Sequence, residues 1–265
     1  MNLSVSDTPV DGAQHVVVAF TGVELMGPNG QQDFSFGSEK TVDFIQQQGT
    51  NSAALLSGVT VSAGAYQWIR LQLDLTNSYI ITSSGTQYPL TIPSGSQTGL
   101  KLVSGFTVAA GSTSNFLIDF DLRKSLSMSN KGGATTYMLS PTMRLVNMQQ
   151  VGNISGSVSP TLSIGGTTIT ATNCDPAVYA YPDTASTLEG FYVTIKGGTP
   201  PLTSASVSLD NNTGNYVYTV GFLAPGTYDL AVTCAAYDIA GSNNLPVFST
   251  QTATVTAGST TIINF

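Results

Sequence analysis

Apolar and polar residues alternate with a period of two along most of this chain, and no helical period persists between caps. The clearest run is Tyr66 to Leu75. Ile69, Leu71, Leu73 and Leu75 fall on one face, and Trp68, Arg70, Gln72 and Asp74 on the other. Such a strand buries one side and leaves a polar side holding Arg70 and Asp74 as a charge pair. Further strands are predicted at His15 to Met26, Asp33 to Phe36, Thr41 to Ile45, Tyr79 to Ile92, Leu100 to Val108, Phe116 to Leu122 and Thr142 to Met148. Gly27-Pro28-Asn29-Gly30 supplies turn chemistry for a hairpin. Asn51 to Leu56, with a capping residue before Ala-Ala-Leu-Leu, is the one predicted helical turn.

Beyond residue 150 the strands are short and evenly spaced. They fall at Gly152 to Val158, a hairpin through Gly165-Gly166, Val178 to Tyr181, Tyr192 to Lys196 and Ala205 to Leu209, then at Tyr216 to Leu223, Thr227 to Ala235, Phe248 to Val255 and Thr260 to Phe265. Spacing of this kind predicts an all-β chain of two β-sandwich domains in tandem, residues 1–150 and 151–265, the second a Greek key. Charge marks the same boundary. Residues 1–150 carry −2 and residues 151–265 carry −5 of the net −7. An acidic chain without a basic patch is not built to neutralise phosphates, which excludes nucleic acid as a partner.

Cys174 and Cys234 are the only cysteines, and their spacing is neither a redox motif nor a zinc motif. The expectation is one disulfide formed in an oxidising compartment; the alternative is two buried free thiols. The longest apolar run, Val16 to Phe20, is too short to cross a bilayer. The chain therefore reads as an exported protein whose leader lies upstream of Met1 and has been removed.

Two groups of motifs carry resemblances. Leu3-Ser-Val-Ser-Asp7, Phe20-Thr-Gly-Val-Glu-Leu25, Gly64-Ala-Tyr-Gln-Trp-Ile-Arg-Leu71, Ile92-Pro-Ser-Gly95 with Gln97-Thr-Gly-Leu-Lys-Leu102, and Asp119-Phe-Asp-Leu-Arg-Lys-Ser125 occur in that order. Together they resemble the bacterial domain-of-unknown-function 4382 family over residues 2–148. That resemblance implies an all-β cell-envelope protein, often a lipoprotein, and brings no activity. Any membrane attachment would then run through a lipid anchor absent from this chain. Ala224-Pro-Gly-Thr-Tyr228, followed by Asp229-Leu-Ala-Val-Thr-Cys234, resembles the strand entry of transthyretin-like and carboxypeptidase-regulatory-like β-sandwich domains. Ala63-Gly-Ala-Tyr66 is a related entry in the first domain.

Candidate chemistry concentrates at Ile118 to Ser125. Read as a strand, this segment puts Asp119, Asp121 and Arg123 on one face. Asp7, Asp11, Asp119 and Asp121 are the candidate oxygen ligands for calcium, but no calcium loop is present and Arg123 would repel a cation. A carboxylate pair for glycoside hydrolysis needs one raised pKa, whereas Arg123 would lower both. The expectation is a structural ion-pair network in which Asp119 and Asp121 pair with Arg123, Arg70 or Arg144. His15 is the only histidine, it stands in an apolar strand, and no nucleophile elbow exists. Neither catalytic residues, nor a cofactor, nor a metal site is expected.

Tyr179 with Tyr181, and Tyr216 with Tyr218, share strand faces that could stack on sugars or simply pack a core. The function expected from these features is that of a non-enzymatic exported protein, at the outer membrane, cell surface or in the periplasm, serving adhesion, scaffolding or assembly. Its partners would be other surface proteins or a second copy, through edge strands. A carbohydrate-binding module pair is the first alternative and a hydrolase the second.

Overall fold

A computed structural model describes the chain apart from residues 11, 93–98, 132–133, 141, 165–166, 171–173, 193 and 236–244. The fold is all-β. It divides into two compact units, Met1–Met148 and Gln149–Phe265.

In the first unit a four-stranded sheet runs Met143–Asn147, Asn115–Asp121, Asn2–Thr8, Ala53–Leu56. Asn2–Thr8 lies parallel to Asn115–Asp121 and antiparallel to Ala53–Leu56. A seven-stranded sheet runs Leu126–Lys131, Ala134–Leu139, Gln87–Thr91, Trp68–Thr82, Ala13–Gly27, Gly30–Asp43, with Leu100–Leu102 also pairing with Trp68–Thr82. The period-two pattern explains how the sheets share a core. Leu3 and Val5 meet Phe116, Ile118 and Phe120 from one sheet, and Phe20, Val23, Ile69 and Leu71 from the other. Phe44, on the 3-10 turn Phe44–Gln46, joins the layers, its ring 6.3 Å from Phe20 and 4.7 Å from Phe120. Burying a side chain of this size stabilises by about 1.5–3 kcal/mol.

Several local expectations are corrected: Tyr79 to Ile92 is divided between Trp68–Thr82 and Gln87–Thr91, and Leu100 to Val108 between Leu100–Leu102 and Phe106–Val108. Asn51 to Leu56 is not a helical turn, because Ala53–Leu56 pairs as a strand. The predicted strands at Asp33 to Phe36 and Thr41 to Ile45 belong to one strand, Gly30–Asp43. It is interrupted where the pairing jumps from Gly22↔Ser35 to Phe20↔Lys40, so that residues 36–39 bulge opposite Thr21.

In the second unit one sheet runs Ser208–Asp210, Asn215–Leu223, Gly152–Val158, Thr260–Ile262, and the other Thr203–Ser206, Pro176–Pro182, Gly226–Cys234, Val247–Val255. Ile154, Tyr218 and Val220 from the first meet Val178, Leu230 and Val232 from the second in one core. Thr161–Ile164 pairs with Thr167–Thr170, while the Gly165-Gly166 turn lies outside the described residues. The strand predicted at Tyr192 to Lys196 is not formed: Tyr192 and residues 194–196 lie in irregular chain. Cys174 and Cys234 form a disulfide, with Cα atoms 5.0 Å apart across 60 residues of sequence.

The last strand lies parallel to Gly152–Val158 and continues pairing to the C-terminus, where Phe265 N donates to Ser157 O. Gly156 makes room for this, because a Cβ there would collide with the Ile263 carbonyl. The two proline- or glycine-led strand entries share one device. Tyr66 donates its hydroxyl to Ser62 O at 2.9 Å, and Tyr228 donates to Ala224 O at 2.8 Å, each reaching back four residues.

Candidate functional site

The charged segment is strand only as far as Asp121; Leu122–Ser125 is a short helical turn, so Arg123 does not share a strand face with the aspartates. The local cause is a cap. Asp121 accepts from Lys124 N at 3.1 Å, which holds the first turn, and Lys124 Nζ stands 3.3 Å from Asp121 Oδ2. Ser125 closes the other side: its hydroxyl donates to Asp121 O and accepts from Thr142 N at 2.8 Å. Arg123 is the largest fully buried side chain, 1% exposed.

Asp119 stands directly across from Arg144 on the neighbouring strand. Arg144 Nε and Nη2 lie 2.8 and 2.6 Å from Asp119 Oδ2. Burial raises the Asp119 carboxyl, and the facing guanidinium offsets this only in part. The expectation that Arg123 would lower it left out burial, which outweighs the lowering that Arg144 supplies. Asp7 lies on the core side of its strand, where Oδ1 accepts from Leu122 N at 3.1 Å and Oδ2 is buried without a hydrogen-bond partner. Burial pushes Asp7 well above the usual carboxylate range; Leu122 N opposes this, and the charges of Asp119 and Asp121 add to it.

Arg70 is not a partner of these aspartates. It pairs with Glu24 at 2.8 Å, inside the cross-strand row Asp33, Glu24, Arg70, Lys101. Nor does it pair with Asp74, which accepts from Thr76 N and Asn77 Nδ2. For calcium, Asp11 lies outside the described residues. Asp7 accepts from Leu122 N, Asp119 is engaged by Arg144 and Asp121 by Lys124. No cluster of three or more His, Cys, Asp or Glu is gathered for a metal among the described residues.

Pattern reasoning missed the partner of His15. Its Nδ1 lies 2.6 Å from Asp43 Oδ2, and Asp43 Oδ1 accepts from Val16 N and Ile45 N. Asp43 thus orients an imidazole, as a carboxylate does in a hydrolase, but it also caps the turn Phe44–Gln46. The signal available in sequence was the aspartate just before a short helical turn.

The tyrosine faces are largely interior. Tyr179 and Tyr181 are fully buried and Tyr218 nearly so, its hydroxyl donating to Ile263 O at 2.9 Å. Burial raises the Tyr218 phenol far above its ordinary value. Tyr237 lies outside the described residues. Trp68, the one tryptophan, is covered by Lys101 and Arg70, whose charged groups sit 4.5 and 5.0 Å from its ring centre. These rings are spent on packing, and of the two readings open for Tyr179 and Tyr181 it is the core one that the structure shows.

What stays open is sheet edge. Among the described residues Gly30–Asp43 pairs on one side only, with Ala13–Gly27, and it is mostly exposed along its 14 residues. Ala53–Leu56 is likewise the last strand of its sheet. No helix among the described residues is long and apolar enough to cross a membrane.

Comparison with known proteins finds one family model, described as domain of unknown function DUF4382, matching residues 1–141. No curated protein matches the chain. Among solved structures, the Bacillus anthracis TIE protein aligns at 11% identity and a TM-score of 0.23 over all of this chain, which spans 40% of that one. The minor pilin GBS52 of Streptococcus agalactiae aligns at 10% identity and a TM-score of 0.22, covering 100% of this chain and 94% of the other. The fimbrial anchor protein Mfa2 of Porphyromonas gingivalis gives 10% identity, a TM-score of 0.20 and coverage of 94% and 81%. TM-scores this low establish no shared fold.

Proposed function

The chain belongs to the DUF4382 family, and from that premise we propose that it is a non-enzymatic protein of the cell envelope, working by protein–protein contact in adhesion, scaffolding or assembly. One observation carries this: Gly30–Asp43 is a long, exposed edge strand with an unpaired side. Such an edge offers a row of backbone donors and acceptors to another chain. The disulfide supports an oxidising location, hence export to the cell surface or periplasm. The charged segment supports the non-enzymatic part, since Asp119 and Asp121 are each engaged by a basic side chain.

The test is association. Light scattering at high concentration, electron microscopy for filaments, and capture of isolated envelope proteins on the immobilised chain are expected to show self-assembly or a discrete partner. A monomer that captures nothing, or turnover in a broad hydrolase screen, would overturn the proposal.

A further inference from the structure

The outer edge of Gly30–Asp43 does not face open solvent along its whole length. Between it and the edge strand Ala53–Leu56 of the other sheet lies an open groove of about 630 Å³. Phe34, Phe36, Leu55, Leu56 and Val59 line it. Phe34, Phe36 and Val59 are only partly buried against the core of the unit, so the seam between the two sheets is left incompletely covered.

Two charged residues line this seam, Asp33, which accepts from Gln31 Nε2 at 2.8 Å, and Lys40. Lys40 Nζ donates to Leu55 O at 2.8 Å and to Ala54 O at 3.4 Å, and lies 4.8 Å from the centre of the Phe36 ring. No carboxylate among the described residues pairs with it. Two features of register bring these groups together. The bulge at residues 36–39 lifts Phe36 out of the ladder. The shift between Leu3↔Leu56 and Ser4↔Ala54 makes Leu55 an extra residue, which turns two successive carbonyls toward the lysine. A lysine at a strand edge guards against indiscriminate pairing. Here the guard is held by neutral carbonyls, and a ligand that offers a carboxylate would suit the ammonium better than they do.

We propose that this groove receives an extended segment of a partner protein, added as a strand between the two sheet edges, with alternate apolar side chains on Phe34 and Leu56 and an acidic side chain on Lys40. The occupant is fixed by chemistry on both counts. Unpaired strand edges call for an extended backbone, and the unneutralised ammonium calls for a carboxylate. This rests on the non-enzymatic, edge-mediated function proposed above and names its site.

The experiment uses the full chain and three synthetic nonapeptides of alternating threonine and valine, with glutamate, glutamine or lysine at the centre. Binding is read by anisotropy, and its location by amide hydrogen exchange. The glutamate peptide is expected to bind most tightly, about tenfold better than the lysine peptide, and to slow exchange within residues 31–35 and 53–56. Lys40→Glu is expected to invert the preference. Lys40→Gln, which keeps the shape of the groove, is expected to abolish the preference while leaving exchange protection in place.

Absence of binding by every peptide, protection confined to Leu126–Lys131, or equal affinity for all three would overturn the groove. None of these would touch the association assay of the whole chain. Self-association competed away by the glutamate peptide would make the occupant a second copy, which also overturns the proposal of a separate partner. Cleavage of the peptides would overturn the non-enzymatic function instead.

Discussion

Arg144 and Asp119 stand directly opposite one another on adjacent strands, with two guanidinium nitrogens 2.8 and 2.6 Å from the same carboxylate oxygen. The carboxylate is nearly buried while the arginine reaches solvent, so the pair is unequal. Losing the arginine leaves a buried carboxylate behind; losing the carboxylate leaves a guanidinium that reaches water. Arg144→Met is therefore expected to destabilise the first unit by about 2 kcal/mol. Asp119→Asn should cost less, and the double variant less than the sum. A double-mutant cycle by urea unfolding checks this, and simple additivity would show that the two residues do not act as a pair.

Asp7 makes stability depend on pH in a definite direction. Its folded pKa lies above the unfolded one, so the folded chain binds the proton more tightly. The contribution is complete below about pH 4 and is lost as pH rises through the folded value. Asp119 is raised too and works in the same sense. Asp7→Asn is expected to flatten the decline in melting temperature between acid and neutral pH, and to leave the smaller slope due to Asp119. An unchanged slope would mean that Asp7 ionises normally.

Gly156 carries the docking of the C-terminal strand. Gly156→Ala puts a methyl group against the Ile263 carbonyl, which is expected to cost about 1–3 kcal/mol. Protection of the Ile263 and Phe265 amides in hydrogen exchange should fall first, because these donate to Ser155 O and Ser157 O. Loss of global stability with those amides still protected would place the strain elsewhere.

Reduction of Cys174–Cys234 opens a loop of 60 residues in the second unit, which is expected to destabilise that unit by about 4 kcal/mol on the chain-entropy model. Trp68 lies in the first unit, so indole emission reports that unit alone. The circular-dichroism transition of the second unit should move to lower temperature under reductant while the indole transition stays put. Coincident shifts would show that the two units unfold together.

Strand faces were legible wherever one side was core and the other solvent, as at Ile69 and Leu71 opposite Arg70 and Gln72. Partners were not. Arg70 goes to Glu24, because the antiparallel register places Glu24 directly across, and register is a property of two segments far apart in sequence. The strand at Asp119 to Arg123 was misjudged for a different reason. Asp121 followed two and three residues later by Arg and Lys fits both an alternating charged strand and a capped turn. Only the arrival of Thr142, bonded to Asp121 and Ser125, decides for the turn. The groove at Lys40 was invisible as well, since two bulges on different sheets create it.

The chain's first strand has an unusual timetable. Asn2–Thr8 is not an edge; it lies in the middle of its sheet and pairs in parallel with Asn115–Asp121, Asn2 bonding to Asn115 across 113 residues. Asn2–Thr8 thus waits for a strand made more than a hundred residues later, and the sheet cannot close until that partner exists. Wiring of so high a contact order folds slowly. A nascent first unit therefore stays open while most of it is being made, and its central sheet is completed only when residues 115–121 have emerged.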